Sequence, residues 1–565
     1  MSKNDLSRRK LLTAASGKIP ESMHKIDRRQ FLKQTSAGSA LLFTSKYFSQ
    51  SVSTDSQVEI IIDEPIETIS PDIYGHFTEH IGGVIYDGIW VGENSSIPNI
   101  GGIRKELVDY MKRLKPSVVR WPGGCFADSY NWRDGIGPRE QRPLRPNFWI
   151  NNRFSQKAPD GPTKYDSNHF GTHEFVHFCR LIGAEPYIAV NVRSATPKDF
   201  YEWVDYCNAP AGTTTLAMER ETNGSVKPFN VRYWGVGNES WGCGGDFTPE
   251  EYAMEFRRFT SWVPNFGQNL ALIPAGPSGG DTSWTSKFFT KLTERRRQYL
   301  NRVYGWALHY YCGTSGKGQA TDFTDEDYYE LIVKANRMET LINQHWSAMG
   351  EVDKNHRVKL IVDEWGAWHR AGSEVHPTHL FGQTSTMRDA LIAALTLDTF
   401  NRNADKVIMS NVAQLINCLH SLFLASEDRF IVTPNYYVFD MYSAHQSGQS
   451  LKTVFSTPEI NITRRGRTEQ LWGLNGSASL HEKKLVLTVV NPSLDKSRNT
   501  EIIVHGAKIK SGEAKTLSEA DVRLHNSFNN PNAVFPKENI INIKRGSLVY
   551  TFPPASVVRL IFELA

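Results

Sequence analysis

From about residue 60 to residue 416, short apolar runs alternate with longer stretches of helical character. The runs at 73–77, 118–122, 186–192, 233–239, 272–276, 305–311, 359–365 and 412–417 read as strands. Segments such as 103–114, 172–181, 249–259, 325–349 and 386–402 read as the helices between them. That alternation predicts βα units on a parallel sheet, and eight units predict a (β/α)8 TIM barrel over residues 71–442. Long loops are expected at strand ends, for example 131–168, rich in Pro, Arg and Asn.

The pattern changes after about Tyr442. Strand-like runs at 471–474, 484–491, 500–504, 514–517, 548–552 and 556–561 are separated by turn residues. They predict an all-β sandwich, jelly-roll-like, over residues 443–565. Residues 58–62, within a segment 56–70 ahead of the barrel, read as a strand that joins this sheet, since alone it would leave an unpaired edge. The fold class is therefore α/β, a barrel followed by a sandwich.

Residues 1–55 read as an address and a disordered leader. Asp27-Arg28-Arg29-Gln30-Phe31-Leu32-Lys33 matches the twin-arginine export pattern, and the mild apolar stretch 37–43 after it is too short to span a bilayer. Export to the periplasm or outside the cell is expected, with no membrane span. Ser7-Arg8-Arg9-Lys10 reads as a partial second copy, and Met23 just before the better copy is the expected translation start; sequencing of the precursor's N-terminus decides this, and a precursor that starts at Met1 rejects it.

Composition changes little. With 40% hydrophobic and 22% charged residues the chain is an ordinary globular protein, and a net charge of +4 over 565 residues gives no footprint for nucleic acid. Six cysteines (125, 179, 207, 243, 312 and 418) form no C-x-x-C pair, so they lack metal-ligand spacing and read as buried thiols.

The chemistry concentrates at the predicted strand ends, where barrel active sites lie. The first strand offers Glu79 and His80, the second Arg120 and Cys125, the third Asn191 and Arg193. The fourth ends in Asn238-Glu239, the sixth in His309-Tyr310-Tyr311, the seventh in Asp363-Glu364, and the eighth offers Gln414 and Asn417. Glu239 and Glu364 each close an apolar run, so each carboxylate sits where a buried strand opens to the surface. Two carboxylates facing one pocket suit cleavage of a glycosidic bond: one attacks, the other protonates the leaving oxygen. Asn238 stands where it can hold a sugar 2-hydroxyl.

These residues carry a resemblance. Asn238-Glu239 after the fourth strand and Glu364 after the seventh are similar to clan A of the glycoside hydrolases. Ile73-Tyr-Gly-His-Phe-Thr-Glu79-His80, Arg120-Trp-Pro-Gly-Gly124, Tyr130-Asn-Trp-Arg-Asp-Gly-Ile-Gly-Pro138, Ala320-Thr-Asp-Phe323, Asp363-Glu-Trp365 and Ala413-Gln-Leu415 resemble glycoside hydrolase family 51, the α-L-arabinofuranosidases, from about Ile60 to the C-terminus. The resemblance implies Glu239 as general acid/base and Glu364 as nucleophile. It implies Glu79, Arg120, Asn238, His309, Tyr311 and Gln414 as the furanose-binding set. The expected reaction is removal of terminal α-L-arabinofuranosyl units from arabinose-containing plant polysaccharides or oligosaccharides, with retention and a carboxyl separation of roughly 5–5.5 Å. No metal or organic cofactor is implied, and a homo-oligomer is compatible with the chain. Other clan A hydrolases (an endoglucanase or a β-xylosidase) and an inactive sugar-binding barrel are the alternatives. One departure stands out: many family members carry Asn where this chain has Cys125, a poor hydrogen bonder. Cys243, four residues past Glu239, leaves room for a thiol partner nearby, but free thiols are the expectation.

Overall fold

The computed structural model describes residues 54–151, 160–313, 318–464, 466–541, 543 and 548–565. The twin-arginine segment lies outside them. Eight parallel strands form the barrel: β1 (Gly75–Phe77), β2 (Val118–Trp121), β3 (Glu185–Val190), β4 (Tyr233–Val236), β5 (Ala271–Pro274), β6 (Gly305–Gly313), β7 (Lys359–Trp368) and β8 (Val407–Ala413). Their order in the sheet is β5-β4-β3-β2-β1-β8-β7-β6. The two ends close on each other: Tyr304 N donates to Leu272 O at 2.9 Å, Gly279 N donates to His309 O at 2.9 Å, and Ser278 bridges His309.

The strands are apolar because both of their faces are covered. Val118, Tyr187, Tyr233, Ala271, Ile273, Ala307, Ile361 and Met409 fill the barrel interior as one packed cluster. Helices pack outside, and their starts follow from local sequence. Pro249–Phe259 opens with a Thr248 cap, in which Glu251 N donates to Thr248 Oγ1 at 3.3 Å and Thr248 N donates to Glu251 Oε2 at 2.8 Å. This reciprocal pairing satisfies two donors that the helix itself cannot. Asp325–Gly350 is capped the same way by Thr324 and Asp327.

The expected eighth strand is displaced. It runs over Val407–Ala413, so Gln414 is the first residue beyond it. Helices Pro197–Asn208, Thr215–Thr222, Thr282–Thr293 and Pro434–Tyr442 add to those foreseen.

The C-terminal strands form one mixed nine-stranded sheet. Its order is Lys537–Ile541, Ile509–Ser518, Ser556–Leu564, Lys484–Asn491, Asn475–His481, Gln449–Ser456, Ser56–Thr68, Arg498–His505 and Leu548–Phe552. Ser56–Thr68 pairs antiparallel with Gln449–Ser456 and parallel with Arg498–His505. The sheet curls over a core that includes Val58, Leu487, Ile502 and Phe562, and its two ends come together where Thr516 Oγ1 lies 3.0 Å from Tyr550 OH. Residues 471–474, expected as a strand, instead join Arg467–Leu471 to Asn475–His481, since Gly473 breaks the extended run. The buried helix Met387–Arg402 ties barrel to sheet: Ser477, Thr488 and Tyr442 hydroxyls donate to Asp398 at 2.6–2.7 Å. Among the described residues, no helix is long and apolar enough to cross a membrane.

Candidate active site

Arg120, at the end of β2, is the hub. Its guanidinium is fully buried against the Phe77 ring, 4.7 Å from the ring centroid. Nη1 donates to Glu364 Oε1 at 2.7 Å, Nη2 donates to Asn238 Oδ1 at 2.5 Å, and Nε lies 3.3 Å from Asp363 Oδ2. One planar cation thus orients three side chains from two facing strands, which a flexible ammonium could not do.

Asp363 and Glu364 are neighbours on one strand, and strict alternation would turn them to opposite faces. The pairing of β6 with β7 shows why both reach Arg120. Leu308 faces Val362 and His309 faces Glu364, so Asp363 is an extra residue at a β-bulge. Bulges re-aim side chains in this way beside active sites. Asp363 is held below the pocket by the Tyr187 hydroxyl and the Asn411 amide, both donating at 2.9 Å. Glu364 points up, where the Tyr311 hydroxyl donates to Oε2 at 2.8 Å. Burial pushes the Glu364 carboxyl up, but His309 and Arg120 charges and the Arg120 and Tyr311 hydrogen bonds hold it below its ordinary value.

Glu239 faces it from the turn after β4. Gly237 takes φ +86° and Glu239 itself φ +39°, a left-handed conformation that costs a side-chain-bearing residue roughly 1–2 kcal/mol. Asp128 holds this turn in place: Oδ2 accepts from Asn238 N at 2.8 Å and Oδ1 accepts from Val192 N at 2.7 Å and Arg193 N at 3.2 Å. Burial pushes the Asp128 carboxyl up to about 7 despite these donors. Glu239 Oε1 lies 3.1 Å from His309 Nδ1, and the same nitrogen lies 3.4 Å from Glu364 Oε2. Burial lowers the His309 pKa, but Glu364 and Glu239 together bring it above its usual value, so the ring stands between two carboxylates that favour its protonated form. One oxygen of Glu239, one of Glu364 and a His309 nitrogen all lie within 4.8 Å of one another.

Glu79 and Gln414 complete the floor. Gln414 Nε2 donates to Glu79 Oε2 at 3.1 Å, while Phe126 N and Trp149 Nε1 donate to Oε1 at 3.0 and 3.2 Å. Burial pushes the Glu79 carboxyl up to about 8, Glu364 adds to this, and the donors and Arg120 oppose it. A Cβ on Gly124 would fall 2.6 Å from Glu79 Oε2, so a larger residue there would push the Glu79 carboxylate out of its place.

Eight residues singled out from the sequence therefore meet at one place: Glu79, Arg120, Asn238, Glu239, His309, Tyr311, Glu364 and Gln414. Asp363 and Cys125 border the site, against Arg120 and Glu239, while several other strand-end residues are engaged elsewhere. His80 is spent on Asp166, 2.6 Å away, and on Trp121 Nε1, which donates to it at 3.0 Å. Asn191 donates to Tyr130 O and Ser194 Oγ, Tyr310 donates to Lys334 O, and Asn417 donates to Gly83 O. The sequence reading missed Asp128, which lies beyond the end of its strand and has no local pattern to mark it.

The cysteines correct one expectation. Cys125 and Cys243 are joined as a disulfide, with Cα atoms 5.5 Å apart across 118 residues of chain. The loops after β2 and β4 meet over Glu239, a proximity that sequence spacing cannot reveal. Cys179, Cys207, Cys312 and Cys418 are free and buried, as expected. The bridge packs on Glu239, whose Oε2 lies 3.6 Å from Cys243 Sγ and 3.8 Å from Cys125 Sγ.

Two carboxylates this close, one clamped and one partly open, over the mouth of an eight-stranded barrel, define the class: a glycoside hydrolase. The comparisons narrow it. The Alpha-L-arabinofuranosidase 1 domain matches residues 110–311, and the Alpha-L-arabinofuranosidase C-terminal domain matches residues 363–556. The chain is 37% identical over 532 residues to an intracellular exo-alpha-L-arabinofuranosidase of Bacteroides ovatus, covering 92% of this chain and 99% of the relative. It superimposes on the GH51 arabinofuranosidase of Xanthomonas axonopodis pv. citri with a TM-score of 0.83 at 32% identity, covering 90% of this chain and 100% of the other. The arabinose complex of the Thermotoga maritima α-L-arabinofuranosidase gives 0.77 at 30% identity, with 90% and 100% covered. The chain belongs to glycoside hydrolase family 51 and is an exo-α-L-arabinofuranosidase.

Proposed function

We propose that this enzyme releases terminal α-L-arabinofuranosyl units from arabinan- or arabinoxylan-type plant material by double displacement. In this reading Glu364 attacks the anomeric carbon while Glu239 protonates the leaving oxygen. A covalent arabinosyl-Glu364 ester forms; Glu239 then takes a proton from the water that releases the sugar. The observation that carries this assignment is the unequal environment of the two carboxylates. Glu364 has both oxygens held by Arg120 and Tyr311 and is kept ionised, as a nucleophile must be. Glu239 has one polar partner, His309, and faces the opening, where leaving group and water arrive. An oxygen of each within 4.8 Å of the other suits a retaining pair, whose carboxyl groups stand closer together than those of an inverting pair. His309, Asn238, Glu79 and Gln414 are read as the grip on the furanose.

A panel of nitrophenyl glycosides, arabinan, arabinoxylan and arabino-oligosaccharides tests this. The expected result is release of arabinose monomer, with the α-anomer first seen by NMR. Preference for a xyloside or glucan, or first appearance of the β-anomer, would overturn it.

The export reading rests on the twin-arginine segment, with support from a disulfide, a bond that persists in oxidising compartments. Cell fractionation would then find the enzyme outside the cytoplasm; activity confined to the cytosol would reject the reading.

A further inference from the structure

We infer that the Cys125–Cys243 pair is the oxidised form of a soft-metal site built onto Glu239, and that reduction lets Zn²⁺ bind there. The two sulfurs and one oxygen of Glu239 already lie within 4.8 Å of one another, and all three residues are half-buried, so reductant and ion can reach them. Sγ···Oε2 distances of 3.6 and 3.8 Å are close to the roughly 3.5 Å that tetrahedral zinc imposes between a thiolate at about 2.3 Å and a carboxylate oxygen at about 2.0 Å. The sulfurs need only part to about 3.8 Å from each other, the spacing of two thiolates on one tetrahedral zinc. Two further contacts suit a bound cation. Asn238 Nδ2 lies 3.9 Å from Cys243 Sγ, placed to donate to a thiolate there. His309 Nδ1 holds the other oxygen, Oε1, at 3.1 Å, which orients the carboxylate as outer partners do for metal ligands. The set is two thiolates and a carboxylate, three ligands of a tetrahedral site.

The chemistry balances. A dithiol reductant breaks the S–S bond, delivers two electrons and two protons, and ends as its own disulfide. Zinc then displaces the two thiol protons and takes Glu239 Oε2 as its third ligand. A zinc-bound oxygen cannot carry the proton a leaving group needs. The consequence for turnover rests on the reading of Glu239 as acid/base; the binding itself does not.

The test uses the full-length enzyme, oxidised or reduced with a phosphine, which takes up the oxygen of water as it supplies the electrons and does not compete for zinc as a dithiol would. Co²⁺ replaces Zn²⁺ for spectroscopy. The reduced enzyme should bind one ion per chain with thiolate-to-cobalt charge-transfer and tetrahedral bands, and the oxidised enzyme none. Zinc should lower activity of the reduced enzyme by about 10²-fold or more, the size of an acid/base contribution, with reversal by a chelator. Cys243→Ser and Glu239→Gln should each lose the cobalt spectrum, and the ratio of Cys243→Ser activity with and without zinc should stay near one. Absence of stoichiometric binding after reduction, or a cobalt spectrum indifferent to Cys243→Ser, would overturn the site. Binding that needs both cysteines and Glu239 yet leaves turnover unchanged would uphold the site and overturn the acid/base assignment instead.

Discussion

Glu364 stands at a bulged strand with both oxygens engaged, by Arg120 and by Tyr311, and its side chain is 6% exposed. Glu239 stands on a left-handed turn with one polar partner, a disulfide at its side, and 19% of its side chain exposed. The residue type is the same and the distance between them is small; what differs is the fixed charge around each. A buried cation with matched donors keeps one carboxylate ionised and immobile. The other has His309 as its polar partner and a partly exposed side chain. The two roles proposed for them thus rest on environment rather than on side-chain chemistry.

The largest expected effect lies on the clamped side. Glu364→Ala should cut kcat by on the order of 10⁴–10⁶. Azide added to that variant should give an arabinosyl azide of the anomer opposite to the substrate. Glu239→Ala should cost less, about 10²–10⁴, and mainly with poor leaving groups. Azide should rescue it on a nitrophenyl arabinofuranoside and give the same anomer as the substrate. Swapped anomers would exchange the two roles.

The comparison sharpens further at the partners. Tyr311→Phe removes one hydrogen bond to a charged group, a contribution of about 1.5–3 kcal/mol, and should lower kcat/KM about 10- to 100-fold. The smallest effect concerns His309. Its folded pKa lies above the unfolded 6.5, so the stability it contributes is full below 6.5 and is lost as pH rises through the folded value. Urea unfolding of wild type and His309→Ala should therefore differ most below pH 6.5 and converge in alkali. A gap that widens with pH would contradict the placement of His309 between the two carboxylates.

Much of this was legible in the chain because the informative patterns are local. Barrel strands buried on both faces read as apolar runs, and Thr248–Glu251 or Thr324–Asp327 announce helix starts within four residues. The eight site residues lie in the C-terminal parts of barrel strands or just after them, so the ends of the apolar runs located them. What escaped depends on contacts between distant segments or on breaks in the period. The bulge at Asp363 defies alternation, Asp128 acts through backbone amides of two other loops, and Cys125 meets Cys243 only after the barrel closes. The eighth strand was placed too late because the apolar run continues past Ala413 into a buried loop, where Leu415 N still donates to Phe77 O at 2.9 Å and Ile416 makes only an isolated bridge to Phe423.

The contrast between the two carboxylates is tested most directly by trapping the intermediate. A 2-deoxy-2-fluoro-arabinofuranoside with a good leaving group slows breakdown of the glycosyl-enzyme, and peptide mapping by mass spectrometry then locates the sugar. The label should sit on the peptide containing Glu364 and be absent in Glu364→Gln. A label on Glu239, or full turnover of the inactivator with no covalent species, would contradict the account.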